Sequence, residues 1–240
     1  MQLRDFDVLT FDCYGTLIDW ETGMYAALKP WLENHGLILS PATVLETFAE
    51  HEATQQAETP SLRYAELLAT VHKRLARHWR IPSTDAEAEA FGRSIADWPA
   101  FPDSAPALQY LKQHYKLVIL SNVDRLSFMA SNRKLHVAFD AIYTAEDIGS
   151  YKPEQRNFLY MLERLAAQGI APSRILHTAQ SLFHDHVPAA ALGLATCWID
   201  RRHAQTGYGA TLPPMSEVHT NFRFESLAAL AEAHRHEKAR

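Results

Sequence analysis

Between about residues 20 and 95 the sequence offers helical patterning and no convincing strand, yet β-prone apolar runs stand on both sides of that stretch. An excursion of roughly 75 residues is far longer than a simple βα crossover needs. The chain must therefore leave a sheet after its first strand, build a helical insert, and return. Met24, Ala27, Leu28, Trp31 and Leu32 predict a helix over 22–37 that stops near Gly36. Ser40-Pro41 opens a second helix through Val44, Leu45 and Phe48 to about residue 56. Thr59-Pro60-Ser61 opens a third, with Leu62, Leu67, Leu68, Val71 and Leu75 on its apolar side, and a fourth covers 84–96 after Pro82.

The flanks read as alternating strands and helices. Residues 6–11 form a short buried strand, and Gly15 marks its exit. Further strands are predicted at 115–120, 141–144, 175–178 and 196–199, the last clear one, with helices near 104–114, 125–136, 153–168 and 188–192 between them. Residues 200–218 are loop-like, and a helix near 224–236 closes the chain. This order predicts an α/β fold: a Rossmann-like, mostly parallel sheet with helices on both faces. Residues 1–19 and 96–240 would make the core domain, and 20–95 a helical cap over the strand tips.

Composition narrows the function. A formal charge of −5, with Arg and Lys scattered, gives no basic stripe for nucleic acid. No apolar run approaches a membrane span. Arg4, Asp5 and Asp7 precede the first apolar run, so no secretion signal is expected there. Cys13 and Cys197 do not make a disulfide framework. A cytoplasmic enzyme or binding protein is the expectation.

Polar groups fall at or just past the ends of different predicted strands: Asp12, Ser121-Asn122, Lys152 and the 178–185 loop. In a parallel sheet such ends are neighbours in space. Asp12 taken alone could be a metal ligand, a base or a nucleophile. Asp12-Cys13-Tyr14-Gly15-Thr16-Leu17, Ser121-Asn122 and Tyr151-Lys152-Pro153, in this order and spacing, resemble the haloacid dehalogenase superfamily, with 20–95 matching its helical cap. The resemblance implies that Asp12 is a nucleophile that forms an ester later hydrolysed by water. Lys152 would keep Asp12 anionic. Thr16, Ser121 and Asn122 would fix the carboxylate and bind substrate oxygens. A turn-forming aspartate and a surface lysine would leave the joint pattern unexplained.

Tyr14 separates the subfamilies. The superfamily's phosphatases carry a second Asp two residues after the nucleophile, as acid to the leaving alkoxide and as a magnesium ligand. A tyrosine, with a reference pKa of about 10, is a poor acid at neutral pH. The stretch Ala179-Gln180-Ser181-Leu182-Phe183-His184-Asp185 offers one carboxylate where magnesium wants several oxygens. Tyr14 instead resembles the L-2-haloacid dehalogenases, which use no metal and no cofactor. A small carboxylate substrate would then sit against Ser121, Asn122 and the backbone N–H groups around Cys13 and Tyr14. Asp185 would orient or activate the hydrolytic water. His184 and His186 beside it are either helpers or packed histidines.

Departures from that subfamily gather on the leaving-group side. Its halide-facing Arg has no counterpart in Thr43–Gln56, which instead holds Glu46, Glu50, Glu52 and His51. Arg63 is the nearest substitute. The family's Tyr six residues after the lysine is Phe158, and its Asn is replaced within Ala179-Gln180-Ser181. The resemblance puts a 2-haloacid first. Second comes ring opening of L-azetidine-2-carboxylate, the reaction of one relative, whose cationic nitrogen would welcome Trp20, Tyr64, Glu46 or Glu50. A phosphatase and a non-catalytic binding protein come last. Apolar Trp31, Leu39, Phe48 and Leu62 make a homodimer an expectation.

Overall fold

Strand β1 (Val8–Phe11) lies at the centre of a computed structural model that describes residues 1–239. It is flanked by β2 (Lys116–Ser121) and β4 (Ile175–Ala179), and the six-stranded sheet runs β3-β2-β1-β4-β5-β6. β3 is Ala141–Thr144, β5 Ala195–Ile199 and β6 Phe222–Phe224, and every pairing is parallel. The predicted α/β sheet is therefore the observed one. β6 is absent from the sequence reading because Phe-Arg-Phe is too short to show a period. Only its register against Cys197–Ile199 makes it a strand.

Side-chain alternation explains why both faces need cover. Val8 joins Val118, Leu120, Phe158 and Ile175 in one apolar cluster, while Leu9 and Phe11 point the other way into a larger cluster. Helix α8 (Gln155–Ala166) seals the first face through Phe158, Met161 and Leu165. α5 (Ser104–Leu111) and α10 (Leu227–Lys238) cover the second. α6 (Arg125–Asn132) follows β2, α7 (Ala145–Ile148) follows β3, and α9 (Val187–Ala191) precedes β5.

Four helices stand between β1 and α5: α1 (Trp20–Asn34), α2 (Pro41–Glu58), α3 (Tyr64–Trp79) and α4 (Asp85–Arg93). Asp19 caps α1 by accepting from the Thr22 N–H, which places Trp20 at the first helical position beside the β1 exit. Ser40 caps α2, with Pro41 behind it at the position where a missing N–H costs nothing. The buried positions of α2 are Val44, Leu45, Phe48, Ala49, Glu52, Gln55 and Gln56. That is an i, i+3, i+4 stripe whose last turn turns polar. Among the described residues no helix is long and apolar enough to cross a membrane.

Candidate active site

Asp12 follows directly on β1, its N–H donating to the Thr178 carbonyl of β4 (3.2 Å). The chain then turns at Gly15, whose φ of +92° lies in the left-handed region. A Cβ at Gly15 would meet Gln180 Oε1 at 3.0 Å and Trp20 Nε1 at 3.1 Å, so the loop packs directly against both. The turn brings Thr16 back over the strand tip. Thr16 Oγ1 donates to Asp12 Oδ2 (2.8 Å) and accepts from the Gln180 N–H (2.9 Å).

Lys152 fills the space between two carboxylates. Its Nζ donates to Asp12 Oδ1 (3.0 Å), Asp185 Oδ1 (2.6 Å) and the Leu120 carbonyl (2.9 Å), which uses all three protons. The side chain is only 1% exposed. Asn122 positions the lysine rather than presenting a free amide: its Oδ1 accepts from the Lys152 N–H (2.7 Å) and its Nδ2 donates to the Lys152 carbonyl (2.9 Å). Ser121 Oγ is buried and, among the described residues, has no hydrogen-bond partner, which makes it an unspent donor at this tip.

Asp185 sits in a single π-helical turn, Leu182–His186, a distortion often found where a side chain must be aimed. Its Oδ1 also faces His177 Nε2 (2.9 Å), and His177 Nδ1 faces Thr10 Oγ1 (2.8 Å). The ring thus links Thr10 to Asp185, with Nε2 donating to the carboxylate. Among the described residues Asp185 Oδ2 has no partner. Burial opposes ionisation of both carboxyls, but the outcomes differ. Lys152 and His177 outweigh burial at Asp185 and hold it well below the ordinary carboxylate range. At Asp12 burial and the neighbouring Asp185 prevail over Lys152 and Thr16, so its pKa is raised. Against desolvation, the two carboxylates raise the pKa of Lys152. The triad is a coupled set in which Asp12 is the more basic carboxylate.

These groups line a cavity of about 40 Å³ together with Tyr14, Trp20, Tyr64, Asn122 and Ser181. Tyr14 meets Ser131 Oγ through its hydroxyl (3.0 Å) and Trp98 edge-to-face, and burial raises its pKa well above 10. The Trp20 ring stands edge-on to Phe48 (5.8 Å). Ser181 Oγ accepts from the His184 N–H (3.0 Å). Of the two histidines flanking Asp185, His184 reaches the cavity and His186 packs behind it, its Nε2 at 2.9 Å from the Ala179 carbonyl. Burial depresses both to a pKa of about 4, so both rings are neutral at pH 7.

Four expected residues lie elsewhere. Glu46 and Glu50 are on the exposed face of α2. Arg63 is exposed and pairs with Glu66. Phe158 is wholly buried behind His177, edge-to-face at 5.0 Å, and does not reach the cavity. Cys13 is fully buried and does not line the cavity. The acidic group that does line the cavity is Glu52, whose Oε1 accepts from the Tyr64 hydroxyl (2.5 Å). Burial lifts its pKa to about 7. Gln56, one turn on, and Thr211 complete the wall. Continuing the stripe of Val44, Leu45 and Phe48 by three and four residues points at Glu52, Gln55 and Gln56 and away from Glu46 and Glu50.

A carboxylate held by one ammonium and one hydroxyl, with a second carboxylate a single lysine away, can attack a carbon and expose the resulting ester to water. The family model for haloacid dehalogenase-like hydrolases matches residues 6–178. The chain belongs to that family and is a hydrolase. It is 24% identical to (S)-2-haloacid dehalogenase 4A of Burkholderia cepacia over 80% of this chain and 82% of that one. A shorter match, 28% identical over 50% of this chain and 54% of the other, is to a pyrimidine 5'-nucleotidase of Escherichia coli. The crystal structure of a defluorinating L-2-haloacid dehalogenase superposes with a TM-score of 0.77 at 21% identity, covering 96% of this chain and 95% of that one.

Proposed function

We propose that this enzyme hydrolyses a small 2-substituted carboxylic acid at carbon 2 through an ester on Asp12, with (S)-2-haloacids as the first substrate class. The observation that carries the reading is Lys152 bridging Asp12 and Asp185 in a cavity too small for a large substrate. An Asp12 oxygen bonds to carbon 2, the carbon–halogen bond breaks, and its electron pair leaves as halide. Water aimed by the free Oδ2 of Asp185 then attacks the Asp12 carboxyl carbon and releases the 2-hydroxy acid. No leaving-group proton is needed, which agrees with Tyr14 in place of a carboxylic acid. Ser121 Oγ and the backbone at Cys13 and Tyr14 would receive the substrate carboxylate, with Asn122 holding Lys152. Residues 20–95 would act as a cap whose movement admits water. Halide release from (S)- and (R)-2-chloropropionate, with Asp12→Asn as control, tests this. Release confined to the (S) form and abolished in the variant is expected.

One observation favours a second reading. Among the described residues Lys152 is the single cation lining the cavity and is already shared by two carboxylates, which leaves a departing halide without a free positive partner. A nitrogen leaving group in a strained cyclic amino acid has no such need. Ring opening of L-azetidine-2-carboxylate, assayed in parallel, discriminates the two.

A further inference from the structure

Glu52 has no part in halide displacement, yet it is 4% exposed on the wall of the cavity that holds Asp12. One of its oxygens accepts from Tyr64; among the described residues nothing donates to the other and no cation pairs with the group. A buried carboxyl without a cation is costly to ionise unless a ligand supplies the opposite charge. The groups facing it carry their own balance. Asp12 and Asp185 share Lys152 for a net charge of −1, His184 is neutral, and Tyr14 and Tyr64 stay protonated. A substrate carboxylate adds a further negative charge. The tyrosines and Trp20 offer aromatic surface to a cation.

We propose that Glu52 binds a protonated nitrogen attached to carbon 2 of the substrate, making a small cyclic α-amino acid the substrate class. For turnover this rests on the second reading above; for binding it stands alone. In the reaction Asp12 bonds to carbon 2 as the carbon–nitrogen bond breaks. The electron pair stays on nitrogen, which arrives as a secondary ammonium and departs as a neutral primary amine still tethered through the opened ring. Water then cleaves the ester at the Asp12 carboxyl carbon, and one molecule carries both the amine and the new hydroxyl. Glu52 orients the nitrogen, and Gln56 one turn along α2 supplies a neutral polar neighbour.

Calorimetry with L-proline, whose unstrained ring should survive, and with cyclopentanecarboxylate, the same ring without nitrogen, reads the nitrogen contact directly. The wild-type protein should bind L-proline at least about tenfold more tightly, as a charge-assisted contact implies. Binding near pH 7 should release about half a proton as Glu52 ionises. Glu52→Gln should weaken L-proline about tenfold or more, abolish proton release and leave cyclopentanecarboxylate within about twofold. Glu52→Asp, which keeps the charge, should retain the preference for L-proline. Equal affinity of the wild type for both ligands, or unchanged L-proline affinity in a folded Glu52→Gln protein, overturns the proposal. Should Glu52→Gln fail to fold, the wild-type comparison still decides. Neither outcome depends on halide release or on ester formation, so failure here is distinguishable from failure of the covalent reading.

Discussion

The two walls of the cavity are built on opposite terms. On the strand-tip wall the charged groups are tied to one another: Lys152 spends three protons, Thr16 joins Asp12 to Gln180, and Asn122 clamps the Lys152 backbone, while among the described residues Ser121 Oγ and Asp185 Oδ2 stay open for substrate and water. On the helical wall Glu52 has one neutral partner and the neighbouring groups are aromatic rings and an amide. Dense, mutually oriented bonds fix a nucleophile to within a fraction of an ångström, which covalent catalysis requires. A sparsely bonded wall leaves unpaired charge for a ligand to complete. We propose that the first wall carries the reaction and the second selects what reacts.

Breaking the dense wall should cost most. Lys152→Met leaves two buried carboxylates facing each other without a cation. We expect a loss of about 3–5 kcal/mol of stability in urea titrations and at least about a thousandfold in kcat/KM. Asp185→Asn should reduce turnover by about a hundredfold while leaving group is released as a stoichiometric burst, since ester formation outruns its hydrolysis. Equal slowing of both half-reactions would remove Asp185 from the water step.

The sparse wall sharpens the contrast through pH. Folded Glu52 holds its proton to about pH 7, whereas the unfolded chain releases it near 4.5. Between these values the native state binds more protons, so stability falls as pH rises through the window and the loss is complete above it. Glu52→Gln should abolish that slope and gain about 2–3 kcal/mol at pH 8 relative to wild type, with little change below pH 4.5. Thr16→Val is the mildest cut. Losing a donor to a carboxylate should cost about tenfold in kcat/KM. It should also move the acid limb of the rate profile upward, because Asp12 must be ionised and its pKa rises further without Thr16.

The same contrast explains how much the sequence revealed. The strand-tip residues sit in short motifs at the ends of apolar runs, so Asp12, Thr16, Ser121 and Lys152 could be named before any coordinates. Parallel pairing then brings the tips together without further information. The helical wall depends on phase. A rotation of one or two residues around α2 exchanges Glu50 for Glu52, and composition is blind to that step. Arg63 illustrates the matching error: proximity in sequence to Tyr64 says nothing about side, and the two residues face opposite ways, one exposed and one buried. His177 was hidden for another reason. Within Ile175-Leu176-His177-Thr178 it looks like a core strand residue, and only Asp185 coming within 2.9 Å of its ring makes it part of the site. β6 and the π-helical turn were equally silent, since neither carries a period of its own.

The central claim is that Asp12 becomes an ester and that water cleaves it at the carboxyl carbon. A single turnover in oxygen-18 water, with enzyme in excess over whichever substrate proves active, followed by mass spectrometry of the peptide spanning Phe6 to Ile18, reads this directly. The account predicts one heavy oxygen in that peptide, on Asp12, and none in the product hydroxyl. Label in the product with an unlabelled peptide would mean that water attacks carbon 2 itself, and Asp12 would no longer be the nucleophile.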